Sequence, residues 1–398
     1  MLAHQHLLEL PFELITHILR YSVDFYNSIV NMKKTTSTAG VYQKYRVINN
    51  LSEVCLIFRK IVKQKVRGYA LRCLNNPFVL NDELLLKQDF SYIKYFKMNK
   101  FSNISDEGLR CLPKLKGLIL DTNDAITDIA HLTNLLALHL RKNTIITDST
   151  VSNLTNLREL DIAYNNNISD ISIRNLINLE CLDLRHNPNV TNIKHLTKLI
   201  KLDLRSGNNG NIDSVNELTT LKTLYLGNNR KIGSVDLPNL TELDLTFNKV
   251  IYDITHLSTL KILNLRNNPN IRKISHLTNL TELDLAFNKI VTDEELKSLT
   301  NLTELNLINN NLITDEGISQ LKKLKIIKLN NHITDLSDLT ELRHIHLSRY
   351  SKISPIMLSK LPMLQYLIIY EESLFDEENI ALLLVLNNKI TVRRLYQI

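Results

Sequence analysis

Thirteen times the chain restarts the pattern LxxLxxLxL, at Leu112, Leu132, Leu154, Leu176, Leu196, Leu218, Leu237, Leu257, Leu277, Leu299, Leu321, Leu339 and Leu361. Successive starts lie 18 to 22 residues apart. The clearest copy is LTNLTELDLAFN (277–288), and a worn one, SYIKYFKM (91–98), precedes the series. Such a recurrence constrains the fold more than length does. In LxL the side-chain period is two, so Leu283 and Leu285 share one face and Asp284 takes the other. No single copy can bury its leucines alone, so copies must stack into a parallel sheet over a common core. At 398 residues the length alone suggests two or three domains, but a stacked array grows along one axis without splitting.

Three residues after LxL stands an asparagine: Asn123, Asn143, Asn165, Asn187, Asn229, Asn248, Asn268, Asn288 and Asn310. Its amide carries both donor and acceptor, so inside a turn it can bond the backbone groups that a bending chain leaves unpaired. Gly207 interrupts the column, with Asn208 one place late, and His332, Tyr350 and Glu372 replace it in the last three copies, where the ladder should loosen. Short copies such as ITDIAHL (126–132) leave room only for an extended or 3₁₀ outer turn. Longer ones such as VTDEELKSL (291–299) allow a short helix, with Thr292 and Glu295 at capping-box spacing. FDEENIALLLVL (375–386) fits a capping helix with Asp376 as N-cap and Ile380, Leu383 and Leu384 on one apolar face. NNKITVRRL then predicts a final strand.

The pattern resembles the leucine-rich-repeat family over roughly residues 90–372. The resemblance implies an α/β solenoid whose curved parallel sheet lines the concave side. The expected organisation is a helical head over 1–75 with an inserted loop near 24–46, a solenoid of about 13–14 repeats over 76–372, and a cap over 373–398.

Net charge is +7, and it is unevenly placed: residues 1–100 hold 15 Lys/Arg against 7 Asp/Glu, and the remainder is close to neutral. Much of the excess sits in RKIVKQKVRGYALR (59–72), a run that suits a solvated face first, and otherwise an acidic protein or nucleic acid. The four cysteines, Cys55, Cys73, Cys111 and Cys181, form no close pair, which favours free thiols in a reducing compartment. No apolar run reaches the eighteen or so residues of a membrane span. MLAHQHLLELPFEL lacks a basic start, an apolar run and a small-residue cleavage site, so no secretory signal is expected.

No catalytic constellation is spelled: phosphate-binding glycine loops, HExxH, GxSxG and paired cysteine ligands are absent. No enzyme, cofactor or metal is therefore expected. The nearest approach to a metal site is His344 with His346, alternating to one face, and His332 a copy earlier, but no carboxylate or cysteine completes it. His131, His195, His256 and His276 recur just before the first leucine and read as duplication of a consensus.

The outward residue within LxL gives a column that includes Asp161, Asp183, Asp203, Tyr225, Asp244, Asn264, Asp284 and Asn306. Two residues on stand Arg141, Arg185, Arg205 and Arg266, and beside them Tyr164, Phe247 and Phe287. Strands lie about 4.8 Å apart, so neighbouring aspartates repel unless arginines or a cationic ligand offset them. Two readings stay open: inherited acids balanced by arginines, or a stripe that selects a protein partner. The candidate footprint is Asp161, Tyr164, Asp183, Arg185, Asp203, Arg205, Tyr225, Asp244, Phe247, Arg266, Asp284 and Phe287.

The opening LPFELITHILRY (10–21) belongs to none of this. Leu10, Leu14, Ile15, Ile18 and Leu19 fall on one helical face, with Pro11 in the first turn. INNLSEVCLIFRKIVKQ (48–64) spells a second amphipathic helix. A plain solenoid cap explains both. Together they also resemble the F-box, and F-box followed by leucine-rich repeats is a familiar architecture. That resemblance implies that Leu10, Pro11, Leu14, Ile15, Ile18 and Leu19, with Leu51, Val54, Cys55 and Phe58, dock a Skp1-like adaptor of a cullin ubiquitin ligase. The middle segment is longer than the family's usual link, and Phe58 stands where a tryptophan is common. The expected function is a non-catalytic substrate receptor of such a ligase. Its alternative is a scaffold or effector, phosphatase-regulator-like, whose head is only a cap. Either would work in cytoplasm, a host's if the source is a virus or intracellular pathogen.

Overall fold

The computed structural model describes residues 81–87, 93–98, 102–206, 215–370 and 373–395. The chain divides into two compact units, and the described elements belong to the larger, residues 71–91 and 95–398. The adaptor-docking residues from Leu10 to Phe58, and Gly207, Asn208 and Glu372 of the asparagine column, lie outside the described residues.

Every copy makes one short strand. The first five are β1 (Tyr95–Lys97), β2 (Gly117–Ile119), β3 (Ala137–His139), β4 (Glu159–Asp161) and β5 (Cys181–Asp183). The middle five are β6 (Lys201–Asp203), β7 (Thr223–Tyr225), β8 (Glu242–Asp244), β9 (Ile262–Asn264) and β10 (Glu282–Asp284). The last five are β11 (Glu304–Asn306), β12 (Ile326–Lys328), β13 (His344–His346), β14 (Tyr366–Tyr370) and β15 (Thr391–Leu395). They form one parallel sheet in strict chain order. The worn copy supplies β1, the thirteen clear copies supply β2 to β14, and NNKITVRRL adds β15. Register is one-to-one, as in Leu263 opposite Leu283 and Leu283 opposite Leu305, so leucines stack on leucines from β2 to β11, with Phe96, Ile327, Ile345 and Val392 in the same row at the two ends.

One copy shows how the core is filled. Leu277, Leu280, Leu283, Leu285, Val291 and Leu296 are all buried, and the same positions are buried in the neighbouring copies, as Leu257, Leu260, Leu263 and Leu265 show. Full burial of such a side chain contributes about 1.5–3 kcal/mol. This continuous column is the fold's main source of stability.

Turns after the strands are locked by the asparagines. Asn143 Oδ1 accepts from Ile145 N at 3.0 Å and Ile146 N at 2.9 Å, while its Nδ2 donates to Leu120 O at 3.1 Å and Asn123 O at 2.8 Å. Both halves of the amide are used, and one of them reaches the preceding copy. The residue just before each ladder asparagine is left-handed, from Thr122 (φ 54°) through Tyr164, Phe247 and Phe287 to Asn309.

Two expectations about the end of this ladder are corrected. His332 does not take over the column. Asn330 does, because this turn is two residues shorter, and its Oδ1 accepts from His332 N at 2.9 Å and Ile333 N at 3.1 Å. In the next copy the buried residue is Ser351, not Tyr350, and its short hydroxyl reaches only Ile353 N, at 3.4 Å.

The outer side carries a second ladder, which explains the ITD spelling. Asp106, Asp148, Asp170, Asp293 and Asp315 each accept from the backbone N–H and the hydroxyl of a Ser or Thr in the next copy. Asp293, for instance, takes Thr314 N at 2.9 Å and Oγ1 at 2.7 Å. Asp148 takes Ser169 N at 2.9 Å and Oγ at 2.6 Å. These aspartates open the short helices 148–151, 170–173, 293–296 and 315–318 of the longer copies. The capping box expected at Thr292 and Glu295 does not form. Thr292 makes no side-chain cap, and Glu295 instead accepts from Ile274 N and Ser275 N of the preceding copy, at 2.7 and 2.8 Å.

At the C-terminal end, Asp376 caps the helix Glu377–Leu386 by accepting from Asn379 N at 2.9 Å. Leu383 is buried, but Leu384 is exposed, contrary to the expected face, and so are Leu382, Val385 and Leu386. The helix is apolar all round, and only one side of it closes the core.

Candidate partner-binding face

The aspartate column does a backbone job first. Asp161, Asp183 and Asp203 each accept, at 3.0 Å, from the N–H two residues on, of Ala163, Arg185 and Arg205. Asp244, Asn264, Asp284 and Asn306 do the same for Thr246, Arg266, Ala286 and Ile308, at 2.8 to 3.1 Å. A short acceptor side chain suits this step because it reaches its own chain where the strand gives way to a left-handed residue. Asp and Asn share the acceptor oxygen, which is why they interchange here. Where His139 occupies the column, Arg141 N goes to Asp121 Oδ1 at 2.9 Å instead. The signal was present in the sequence, since Asp and Asn alternated freely in a position read for charge.

From β3 to β7 the remaining valences of these acids are taken by arginines. Arg141 Nη2 meets Asp161 Oδ2 at 2.9 Å. Arg185 Nε bonds both Asp183 oxygens at 3.0 Å and lies 3.3 Å from Asp203 Oδ2. Arg205 Nη2 meets Asp203 Oδ2 at 2.6 Å and Nη1 reaches toward Asp244 at 3.9 Å. The acids are largely buried, Asp161, Asp203 and Asp244 most deeply. Burial pushes the Asp161 carboxyl upward and the nearby Asp183 adds to that, while the Ala163 N–H and Arg141 pull the other way without prevailing. The Arg185 guanidinium is held even more firmly charged than usual, chiefly by its bonds to Asp183.

Tyr225 breaks the acid column and closes the network. Its ring has the Lys201 ammonium and the Arg205 guanidinium each 5.0 Å from its centroid. Its hydroxyl donates to Glu242 Oε1 at 2.7 Å, and burial together with that carboxylate raises its pKa. On the rim, Tyr164 is 43% exposed, stacked on His186 at 4.3 Å, with the Lys142 ammonium 5.1 Å from its ring. Phe247 is 44% exposed, and Arg266 lies 4.9 Å over the half-buried Phe287. The footprint residues thus share one face and divide in two. Acids and arginines from β3 to β7 are bonded to one another, with Tyr225 joined to them, whereas Tyr164 and Phe247 stay exposed.

The histidines resolve differently. His344 and His346 share a strand face, but His344 packs edge-on to Tyr366 at 4.8 Å. Burial, then Lys328 and His344, push the His346 pKa down to about 4. Among the described residues no three His, Cys, Asp or Glu side chains gather as a metal site. His195 and His256 contact the carbonyls of Ile173 and Val235 in the preceding copy, at 3.0 and 2.6 Å, so two of that recurring set tie copies together. No helix among the described residues is long and apolar enough to cross a membrane.

Comparison with known proteins finds the same repeat in the sequence. A family model described as leucine-rich repeats (2 copies) matches residues 278–322, and a single leucine-rich-repeat model matches 153–176 and 236–253. An internalin (inlF) from Listeria monocytogenes is 26% identical, covering 80% of this chain and 89% of that one, at a TM-score of 0.48. A leucine-rich-repeat protein of Leptospira interrogans is 22% identical over 83% of this chain and 96% of its own, also at 0.48. The Rad7 and Elc1 complex of yeast provides a third, 17% identical over 90% and 98%, at 0.43. No curated protein sequence matches the chain. The fold is a leucine-rich-repeat solenoid.

Proposed function

We propose that the chain is the substrate-recognition subunit of an SCF-like ubiquitin ligase, working in cytoplasm and without catalysis of its own. The concave face of the solenoid holds a target protein, and the N-terminal head docks a Skp1-like adaptor that brings the cullin. The receptor half rests on one observation: a continuous parallel sheet with exposed Tyr164 and Phe247 on a face otherwise carpeted with charge. Six strands at about 4.8 Å give roughly 25 Å of surface, enough for a peptide or a small domain. The adaptor half rests on LPFELITHIL and LSEVCLIFRK.

Affinity purification of the full chain from eukaryotic cells tests the adaptor half, with Leu14→Asp or Ile18→Asp beside the parent. Skp1 and a cullin should co-purify with the parent and be lost from the variants, because an unpaired charge is costly in an apolar interface. Unchanged melting must accompany the loss. A parent that never retains Skp1, or variants that unfold, would leave the head as a cap and the chain as a scaffold.

A further inference from the structure

The two halves of the concave face differ in what they leave unsatisfied. From β3 to β7 a partner would have to break existing ion pairs, such as Arg185 with Asp183 and Asp203, before making its own. Stripping and re-pairing such charges returns little net affinity. From β9 to β11 the situation reverses. Glu282 and Glu304 stand opposite each other on adjacent strands, and neither has a hydrogen bond or ion pair through its carboxylate. Like charges set directly opposite are destabilising until a cation arrives. Burial, then Glu304 and Glu242, push the Glu282 carboxyl upward. At the other end of the same strands the surface turns apolar, with exposed Phe247, half-buried Phe287 and half-buried Ile308. Arg266 stacks on Phe287 and joins no carboxylate. Acidic and apolar lanes therefore run side by side across the strands. Glu282 opens β10 and Phe287 stands in the turn beyond its end, so the lanes lie a strand's length apart, on the order of the 10–12 Å width of an α-helix with its side chains.

We propose that the partner seats on β9–β11 and the adjoining Phe247 rather than on the paired half, and that it presents a basic amphipathic helix. Its Lys or Arg residues meet Glu282 and Glu304, and its apolar residues meet Phe247 and Phe287. This rests on the receptor reading above and adds to it the place and the chemistry of the ligand.

The test uses the full chain and a labelled helix-forming peptide with leucines along one face and lysines along its flank, read by fluorescence anisotropy. A scrambled peptide of identical composition is the control. The patterned peptide should bind at least about 10-fold tighter than the scramble at physiological salt, where diffuse attraction is screened. Glu282→Lys combined with Glu304→Lys should remove that advantage, and Phe287→Ser should weaken binding without changing its salt dependence. Glu159→Lys, on the paired half, should leave binding within about 2-fold. Equal binding of the scramble, equal loss from Glu159→Lys, or no binding of the patterned peptide at about 100 μM overturns the proposal. Cellular capture separates the two levels. Partners retained by the double glutamate variant but lost from Arg205→Glu would keep the receptor reading and refute this location. Partners retained by both variants would refute the receptor reading as well.

Discussion

A single asparagine in this array serves four backbone groups in two copies, so it is worth more than its size suggests. Asn288 Oδ1 accepts from Ile290 N and Val291 N, both at 3.0 Å, and Nδ2 donates to Leu265 O and Asn268 O at 3.2 Å. Asn288→Ala leaves those groups buried without partners, at about 1–3 kcal/mol per unsatisfied group before relaxation. The expected loss is roughly 2–4 kcal/mol by denaturant unfolding, and a loss under about 0.5 would mean that water replaces the amide freely. The residue before each ladder asparagine allows the opposite experiment. Thr122 is exposed at φ 54°, a region costly for a branched side chain, while copies farther on place Asn228, Asn267 and Asn309 there. Thr122→Asn should stabilise by about 0.5–1 kcal/mol, and a lower Tm would show that Thr122 has a role beyond filling the position. The asparagine ladder was legible because its residue type and spacing both recur. The left-handed position was not, because Thr, Lys, Tyr, His, Phe and Asn all occupy it. A conformation imposed by the turns on either side leaves no single residue signature.

Between elements, the outer aspartates do what the inner leucines cannot: they tie one copy to the next with directional hydrogen bonds. Gly317 sits where an added Cβ would lie 2.2 Å from Asp293 Oδ1, and Asp293 cannot swing aside without releasing Thr314. Gly108 stands in the same relation to Asp82, and at the matching place in 170–173 Ser172 uses its hydroxyl to bond Asp148. Gly317→Ala should therefore cost about 1–3 kcal/mol although it raises helix propensity, and Gly317→Ser should cost less. A stabilising Gly317→Ala would show that the clamp is dispensable. The clamps also make the array acid-sensitive. Burial pushes Asp106, Asp148 and Asp170 upward, but the Ser/Thr hydroxyl and amide bonds outweigh it and hold their carboxyls below the usual value. Groups of this sign contribute stability that is whole above the unfolded pKa near 3.8 and lost as pH falls through the folded one. The stability gap between the parent and Asp148→Asn should stay level from pH 5 to 7 and close below about pH 4. A gap unchanged at acid pH would mean that the carboxylate's charge is not what Ser169 and Ser172 recognise. The ITD motif was visible in the sequence as a helix start. Its partner was not, because the bond joins residues about 21 apart, in different copies.

Among the described residues each strand pairs with the strands of the neighbouring copies, so stability is a chain of local terms rather than one pooled quantity. The stack of parallel strands could be read from the sequence, because the copies spell the same buried apolar positions. The division of the concave face could not, since it depends on which charged side chain reaches which across strands. The same nearest-neighbour logic assigns the cap its reach. Leu383 is the buried contact of the final helix, while Val385 on its other side is 82% exposed. Asparagine bonding has meanwhile fallen to the single Ser351 contact two strands earlier, at 3.4 Å. Leu383→Ala, expected to cost about 2–4 kcal/mol locally, should therefore speed amide hydrogen exchange in β13–β15 while leaving β4–β8 unchanged. Val385→Lys should do neither, since it replaces a side chain that packs on nothing. If Leu383→Ala raised exchange equally from β2 to β15, the array would unfold as one cooperative unit. Copies far from the cap would then depend on it, against everything the one-to-one stacking implies.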